Sequence, residues 1–257
     1  MAQNANFHRY VALGDSFTEG VGDPDPARPN GLRGWADLVA EQLATGNPDF
    51  RHANLAIRGR KLDGVLAEQL TPALAMEPDL VTIYAGGNDM LRPKVDIDAL
   101  MGRYDEALGR LAATGAQLVM WTAHDPSASR LYAPLRGRFA IYNELARELA
   151  EKHGASLIDF WRLRDYHGWA LWSDDRLHMN SAGHQRMASE VLDTLGVPHG
   201  IERPVAAEKP PMPRKQAVRE NLDWARTSAV PWVHRRLTGR SSGDTIDPRR
   251  PELAPVE

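Results

Sequence analysis

Residues 10–20 read YVALGDSFTEG. The first four are apolar, as in a buried strand of a parallel sheet, and Gly14 ends the strand. Ser16 then lies on the turn that leaves this strand. In an open parallel sheet, functional groups gather at the carboxyl ends of the strands, where the loops meet helix N-termini. The stretch therefore predicts an α/β fold with its functional residues at that edge of the sheet.

Further apolar segments of strand length alternate with segments of helical periodicity. This alternation predicts a parallel sheet with crossover helices. We expect Pro72 to stop the second helix, because proline lacks the N–H that a helix interior needs. The predicted strands cover residues 10–13, 53–57, 80–84, 117–122 and 156–160, and the predicted helices cover residues 35–43, 62–70, 98–113, 139–152 and 182–195.

The composition is that of one sizeable globular domain with an appendage, since 257 residues are 42% hydrophobic and 25% charged. Cysteine is absent, which excludes disulfides, Cys-ligated metals and thiol nucleophiles. The net charge of −3 gives no electrostatic reason to expect nucleic acid as a partner. The first ten residues do not resemble a secretory signal, and no segment is apolar enough to cross a bilayer. We therefore expect a cytoplasmic protein without stable membrane insertion.

An acid and an imidazole come together in residues 175–178, which read DRLH and precede the last predicted helix. On a turn, Asp175 can accept a hydrogen bond from one ring nitrogen of His178 while the other ring nitrogen faces a nucleophile such as Ser16. This spacing predicts a base with its orienting acid. The alternatives are His124 beside Asp125, His167 near Asp165, and Asp174 as the acid.

Two turns contain glycine and potential hydrogen-bond donors. Residues 84–89 read YAGGND and lie at the end of the third predicted strand, and residues 54–59 read NLAIRG and lie at and after the second. The side-chain amide of Asn88 and the backbone N–H of Gly59 can both donate to a developing oxyanion. Taken singly, each segment is also typical of an ordinary turn.

Two other interpretations of the first turn stay open. Ser16 is an ordinary N-cap in one of them. In the other, the turn binds the phosphate of a flavin or nucleotide, although the sequence has neither G-x-G-x-x-G nor G-x-x-x-x-G-K-[ST].

Taken together, the four blocks resemble the SGNH hydrolases, also called the GDSL esterase and lipase family. The similarity covers about the first 195 residues in the family's order and extends into the segment after His178. It implies a three-layer αβα sandwich around a flavodoxin-like, five-stranded parallel sheet. It also implies a serine esterase that acts on a small-molecule ester and uses no metal or cofactor. The matching blocks are residues 14–16, 54–59, 86–89 and 175–178.

The resemblance assigns roles to five residues of this sequence. Arg58 and Arg60 flank one of them where relatives often have small or acidic residues, so we expect them to influence which ester is accepted. A catalytically silent binding protein of the same fold is the remaining alternative. The implied roles are nucleophile for Ser16, base and then acid for His178, orienting acid for Asp175, and oxyanion donors for the N–H groups of Ser16 and Gly59 and the side chain of Asn88.

The composition changes after Gly200, where prolines become frequent. We assign residues 1–200 to the catalytic domain and residues 201–257 to a Pro-rich linker and a short helical C-terminal extension with a disordered end. The extension either buries an edge of the sheet or forms a lid over the substrate crevice. Its apolar face holds Val218, Leu222 and Ala225, a second short turn holds Trp232, Val233 and Leu237, and the pairs Arg235-Arg236 and Arg249-Arg250 read as solvated charges.

Overall fold

The structure is a computed structural model that describes residues 6–129, 131–205, 213–231 and 241–256. Its strands are β1 Arg9–Gly14, β2 Arg51–Asn54, β3 Leu80–Tyr84, β4 Gln117–Trp121, β5 Ser156–Ile158 and β6 Arg250–Ala254. Its helices are α1 Ser16–Glu19, α2 Trp35–Ala44, α3 Leu62–Ala75, α4 Gly87–Met90, α5 Ile97–Ala112, α6 Arg136–His153, α7 Ser181–Leu195 and α8 Arg214–Trp224.

The strands form one sheet in the order β5-β4-β3-β1-β2-β6. The first five strands are parallel, and β6 runs antiparallel to β2. Side chains alternate across the sheet, so Val11 and Leu13 of β1 pack into one core while Tyr10 and Ala12 pack into the other. Helices α3, α5 and α6 cover the first face, and α2 and α7 cover the second. The prediction of an α/β fold with a mostly parallel sheet is confirmed.

The sheet has six strands where five were predicted, because the end of the chain adds an edge strand. In this pairing, Asn54 of β2 lies opposite Arg250. The expectation of a disordered end therefore does not hold for residues 250–254. The sixth strand satisfies backbone groups of β2 that an exposed sheet edge would leave unpaired.

The arginines that precede and begin β6 are buried, contrary to the expectation of solvated charges. The guanidinium of Arg249 is fully buried and donates to the carboxylate of Asp37 and to the backbone oxygens of Glu19 and Arg33. Arg250 Nε lies 3.4 Å from the same carboxylate. A carboxylate buried on α2 thus requires cationic partners, and the end of the chain supplies them.

Two further predictions about local structure are corrected. Helix α3 continues through Pro72 to Ala75, because burial of apolar side chains along this helix outweighs the loss of one backbone hydrogen bond. Helix α8 exists but does not bury a sheet edge: its side chains Val218 and Leu222 are exposed. The predicted linker residues 210–212 and second turn, with Trp232, Val233, Leu237, Arg235 and Arg236, lie outside the described residues.

Within the described ranges, no helix combines the length and the apolar character needed to span a bilayer.

Candidate active site

A cavity of about 250 Å³ opens at the carboxyl ends of the strands. It is the point at which sequence segments far apart in the chain meet. All five predicted site residues line it, namely Ser16, Gly59, Asn88, Asp175 and His178. Because β1 lies between β3 and β2 in the sheet, the loops that follow these strands are neighbours.

The acid and the imidazole are joined by a short hydrogen bond. His178 Nδ1 lies 2.6 Å from Asp175 Oδ2. Asp175 Oδ1 accepts from the hydroxyl of Ser173 and from the backbone N–H groups of Leu177 and His178, at 2.7, 2.9 and 3.0 Å. Burial raises the pKa of Asp175, but the contacts with His178 and these N–H groups lower it more, so its pKa lies well below the ordinary value. The group is therefore a carboxylate that holds the imidazole through Nδ1.

Among the described residues, neither alternative base is held by a carboxylate in this way. Asp125, next to His124, is instead held by two hydrogen bonds from Arg136 at 2.8 Å. Burial in an aromatic cluster lowers the pKa of His124 to about 4. Asp165 likewise accepts from Arg186 at 2.7 Å, and His167 contacts Arg164 at 3.1 Å. Among the acid candidates, Asp175 and not Asp174 contacts His178.

The Ser16 turn is held by the side chain before it. Asp15 caps α1 by accepting from the N–H of Phe17 at 3.1 Å, and its other oxygen accepts from Asn88 Nδ2 at 2.9 Å. Burial raises the pKa of Asp15 to about 7, although the Phe17 N–H and the nearby His178 oppose the rise. This carboxyl was part of the quoted motif but received no predicted role. Its capping position after the strand was the available signal.

Two backbone N–H groups at the cavity are available as donors. In the described part of the chain, neither the N–H of Ser16 nor that of Gly59 donates to a protein acceptor. Ser16 is the first residue of α1, where a helix leaves its N–H groups unsatisfied. Gly59 has a φ of +76°, a conformation that favours glycine. The neighbouring N–H of Arg58 is already used, because it donates to the buried Glu19 at 2.6 Å.

The amide of Asn88 is more heavily engaged than the sequence suggests. Its Nδ2 donates to Asp15 Oδ2 at 2.9 Å and to the backbone oxygen of Arg60 at 3.0 Å. Both of its hydrogens therefore have acceptors. An oxyanion would have to share one of these hydrogens or displace one acceptor.

The loop after α1 brings the serine block close to the histidine block. A Cβ at Gly22 would lie 1.9 Å from the backbone oxygen of Met179 and 3.4 Å from the Cβ of His178. Only glycine permits this approach. His184 of α7 supports the same loop: its Nδ1 accepts from the N–H of Trp35 at 3.1 Å, and its Nε2 lies 3.1 Å from the backbone oxygen of Val21.

No hydrogen bond joins the Ser16 hydroxyl to His178 within the described residues. Both residues line the cavity. Catalytic hydrogen bonds are often long or absent in ligand-free enzymes and tighten when substrate binds.

Six aromatic side chains line the cavity, and none of them was predicted to do so. Residues Ser241 and Ser242 of the C-terminal extension also line the cavity; the alternative that the extension lies over the crevice placed it here, but no pattern singled out these two serines. Across the described ranges, no three His, Asp or Glu side chains converge as a metal ion requires. The aromatic residues of the wall are Phe17, Tyr84, Tyr132, Phe139, Phe160 and Trp172.

The model of the GDSL-like lipase/acylhydrolase family matches residues 12–186. The chain belongs to this family. Membership makes it a carboxylic ester hydrolase and confirms the resemblance seen in the four sequence blocks. No curated protein matches the sequence significantly.

Solved structures share the fold of this GDSL-family hydrolase. LAE5, an alpha/beta hydrolase enzyme from the metagenome of Lake Arreo, Spain, is 26% identical; the match covers 74% of this chain and 95% of LAE5, with a TM-score of 0.61. TesA is 24% identical, with 73% and 98% covered and a TM-score of 0.60. A catalytic mutant of Axe2, an acetylxylan esterase from Geobacillus stearothermophilus, is 21% identical, with 77% and 98% covered and a TM-score of 0.63.

Proposed function

We propose that this hydrolase cleaves carboxylic esters through an acyl-enzyme formed on Ser16, with His178 as the base and Asp175 as its orienting carboxylate. One observation carries the proposal. The 2.6 Å contact between His178 Nδ1 and Asp175 Oδ2 leaves the other ring nitrogen for a substrate or nucleophile, at a cavity that Ser16 also lines.

In the first half of the reaction, Ser16 Oγ attacks the ester carbonyl carbon while His178 Nε2 takes the hydroxyl proton. The carbonyl oxygen becomes an oxyanion, and the Asp175 carboxylate stabilises the imidazolium. Collapse of the tetrahedral intermediate breaks the bond to the alcohol, which leaves with the proton from Nε2. In the second half, water gives its proton to His178 and attacks the acyl carbon. The carboxylic acid is released, and Ser16 regains its proton.

The oxyanion would accept from the N–H groups of Ser16 and Gly59 and from the amide of Asn88. The two backbone groups are free of protein acceptors within the described residues, which supports this role. Asn88 would share with the oxyanion the hydrogen that now points to the backbone oxygen of Arg60, and keep its bond to Asp15. Donors placed before the reaction stabilise the transition state without reorganisation.

The aromatic wall and the modest cavity support small or medium acyl esters as substrates. The cavity holds about 250 Å³, and Phe17, Phe160 and Trp172 line it. Nitrophenyl esters with acyl chains of increasing length, tested beside acetylated sugars and lysolipids, would define the range. A cytoplasmic location stays a prediction, which cell fractionation would test.

The deciding experiment removes the nucleophile and the base separately. We expect Ser16→Ala and His178→Ala each to abolish hydrolysis of a short nitrophenyl ester and Ser16→Ala to abolish labelling by a fluorophosphonate. Full turnover by a pure Ser16→Ala protein would show that this serine is not the nucleophile, and bound flavin or nucleotide would favour the phosphate-binding alternative.

The chain contains a matched control for each variant. His153 lies 2.6 Å from Asp105, the same contact distance as in the proposed pair, but the two residues are not part of the cavity lining. Ser156 lies at the amino end of the outermost strand β5 and is not part of the cavity lining. We expect His153→Ala and Ser156→Ala to keep wild-type turnover.

A further inference from the structure

Helix α8 contacts the turn that carries the acid and the base. Trp224 Nε1 donates to the backbone oxygen of Asp175 at 2.8 Å. The guanidinium of Arg176 lies 5.0 Å from the centre of the Trp224 ring and donates to Asn221 Oδ1 at 2.6 Å. The extension thus holds both the backbone and a side chain of this turn.

The turn requires such support because its backbone is strained. Arg176 has a φ of +58°, in the left-handed region that favours glycine. The turn is closed by a hydrogen bond from the N–H of Ser173 to the backbone oxygen of His178 at 2.8 Å. A change in the conformation of Arg176 would therefore move Asp175 and His178 relative to the cavity.

A second part of the extension contacts the opposite side of the cavity. Ser241 Oγ lies 3.3 Å from the backbone oxygen of Arg58, and a Cβ on Gly59 would lie 2.1 Å from that Oγ. A Cβ on Gly243 would lie 2.2 Å from the same Arg58 oxygen. Arg60 Nη1 lies 3.4 Å from Asp244 Oδ1. Residues 241–244 thus pack directly on the loop that presents the Gly59 N–H.

We propose that the C-terminal extension is a working part of the active site, with Trp224 and Ser241 as positioning residues for the acid–base turn and the Gly59 loop. The extension lies beyond residues 12–186, which the family model matches. The inference rests on the proposed function, because it concerns the orientation of His178 and the donor of Gly59.

The first test removes one donor while keeping an aromatic ring. Trp224→Phe deletes the N–H that donates to Asp175. We expect a threefold to tenfold fall, roughly, in kcat and in the rate of fluorophosphonate labelling, with KM and melting temperature unchanged. Trp161→Phe is the control, because Trp161 also contacts an arginine, Arg136, at 5.3 Å, whereas the N–H that donates to Asp175 belongs to Trp224. It should behave as wild type.

The second test is a double-mutant cycle across the contact between Gly59 and Ser241. Gly59→Ala introduces a clash with Ser241 Oγ, and Ser241→Gly removes that atom. The backbone strain of alanine at position 59 is present in both alanine variants and cancels in the cycle. We expect Ser241→Gly to raise the kcat of Gly59→Ala by roughly threefold or more while not raising that of the wild type.

The outcomes separate this inference from the proposed function. Loss of labelling in Ser16→Ala together with wild-type kinetics in Trp224→Phe, or an additive cycle, would overturn the inference and leave the proposed function standing. Labelling that persists in Ser16→Ala would overturn the proposed function itself. Reduced kcat in Trp224→Phe with non-additivity in the cycle would support the inference.

Discussion

Replacing Arg249 with methionine should destabilise the protein strongly. The Arg249 side chain is fully buried, and its guanidinium bonds to Asp37, whose carboxylate is 2% exposed. The variant keeps a similar apolar length but leaves Asp37 with weaker partners: His52 at 3.5 Å and Arg250 at 3.4 Å. Removal of one member of a buried ion pair costs about 3–5 kcal/mol. At about 2–4 °C per kcal/mol for a protein of this size, the melting temperature should fall by roughly 6–20 °C.

Thermal unfolding followed by circular dichroism measures this effect. Arg162→Met is the control, because the Arg162 side chain is 74% exposed in its pair with Asp159 and should change the melting temperature little. The double variant Asp37→Leu/Arg249→Met should recover part of the loss, since it removes the buried carboxylate that would otherwise stay underpaired; Arg250 loses the same carboxylate, so the recovery is incomplete. If Arg249→Met and Arg162→Met had the same melting temperature, the buried docking of the chain end on α2 and β2 would be refuted.

The pH dependence of this loss follows from Asp37. Burial raises the pKa of Asp37, but the contacts with His52 and Arg249 lower it by more than burial raises it. The pKa of Asp37 in the folded protein therefore lies below its value in the unfolded chain. Its stabilising contribution is therefore present above the unfolded pKa of about 3.8 and is lost as the pH falls through the folded pKa. The difference in melting temperature between the wild type and Arg249→Met should consequently become smaller as the pH falls. A constant difference between about pH 7 and pH 3 would contradict this explanation.

Two other predictions concern the cavity. Asn88→Ala should lower the kcat for a nitrophenyl ester by a factor of about 10²–10³ without loss of folding, because one oxyanion donor is lost. A fall in kcat of less than threefold would show that Asn88 is not an oxyanion donor. The folded pKa of Asp15 is raised to about 7 from 3.8, so its stabilising contribution is full below the unfolded pKa and is lost as the pH rises through about 7. Relative to Asp15→Asn, the wild type should therefore lose about 1.4 kcal/mol per pH unit between about pH 5 and 7 in denaturant unfolding, whereas parallel curves would show that Asp15 ionises normally.

Short-range patterns predicted much of the candidate site. The spacing of Asp175 and His178 is a local property of a turn, so the sequence alone indicated that the two groups could meet. The strand before Ser16 was similarly predictable from its apolar run and the glycine that ends it. The hydrogen bonds of the Asn88 amide could not be predicted in this way. Their acceptors belong to Asp15 and Arg60, which lie 73 and 28 positions away in the sequence.

Helix α3 and the chain end show where local rules fail. Pro72 is a helix stop by local propensity, yet the packing of α3 on the sheet carries the helix past it. Arg249 reads as a surface charge in a polar tail, yet it lies 212 positions from the carboxylate that it pairs with. Neither result follows from neighbouring residues, because burial against distant elements supplies the free energy.

The sequence by itself determined the layered α/β plan and the identity of the residues at the strand ends, since periodicity and turn chemistry are written in contiguous segments. Only the tertiary structure decided that the chain end pairs with β2, that Trp224 contacts the turn of Asp175 and that Ser241 lines the cavity. These contacts depend on which distant surfaces are complementary in shape and charge once the sheet has formed, and such complementarity leaves no periodic trace along the chain.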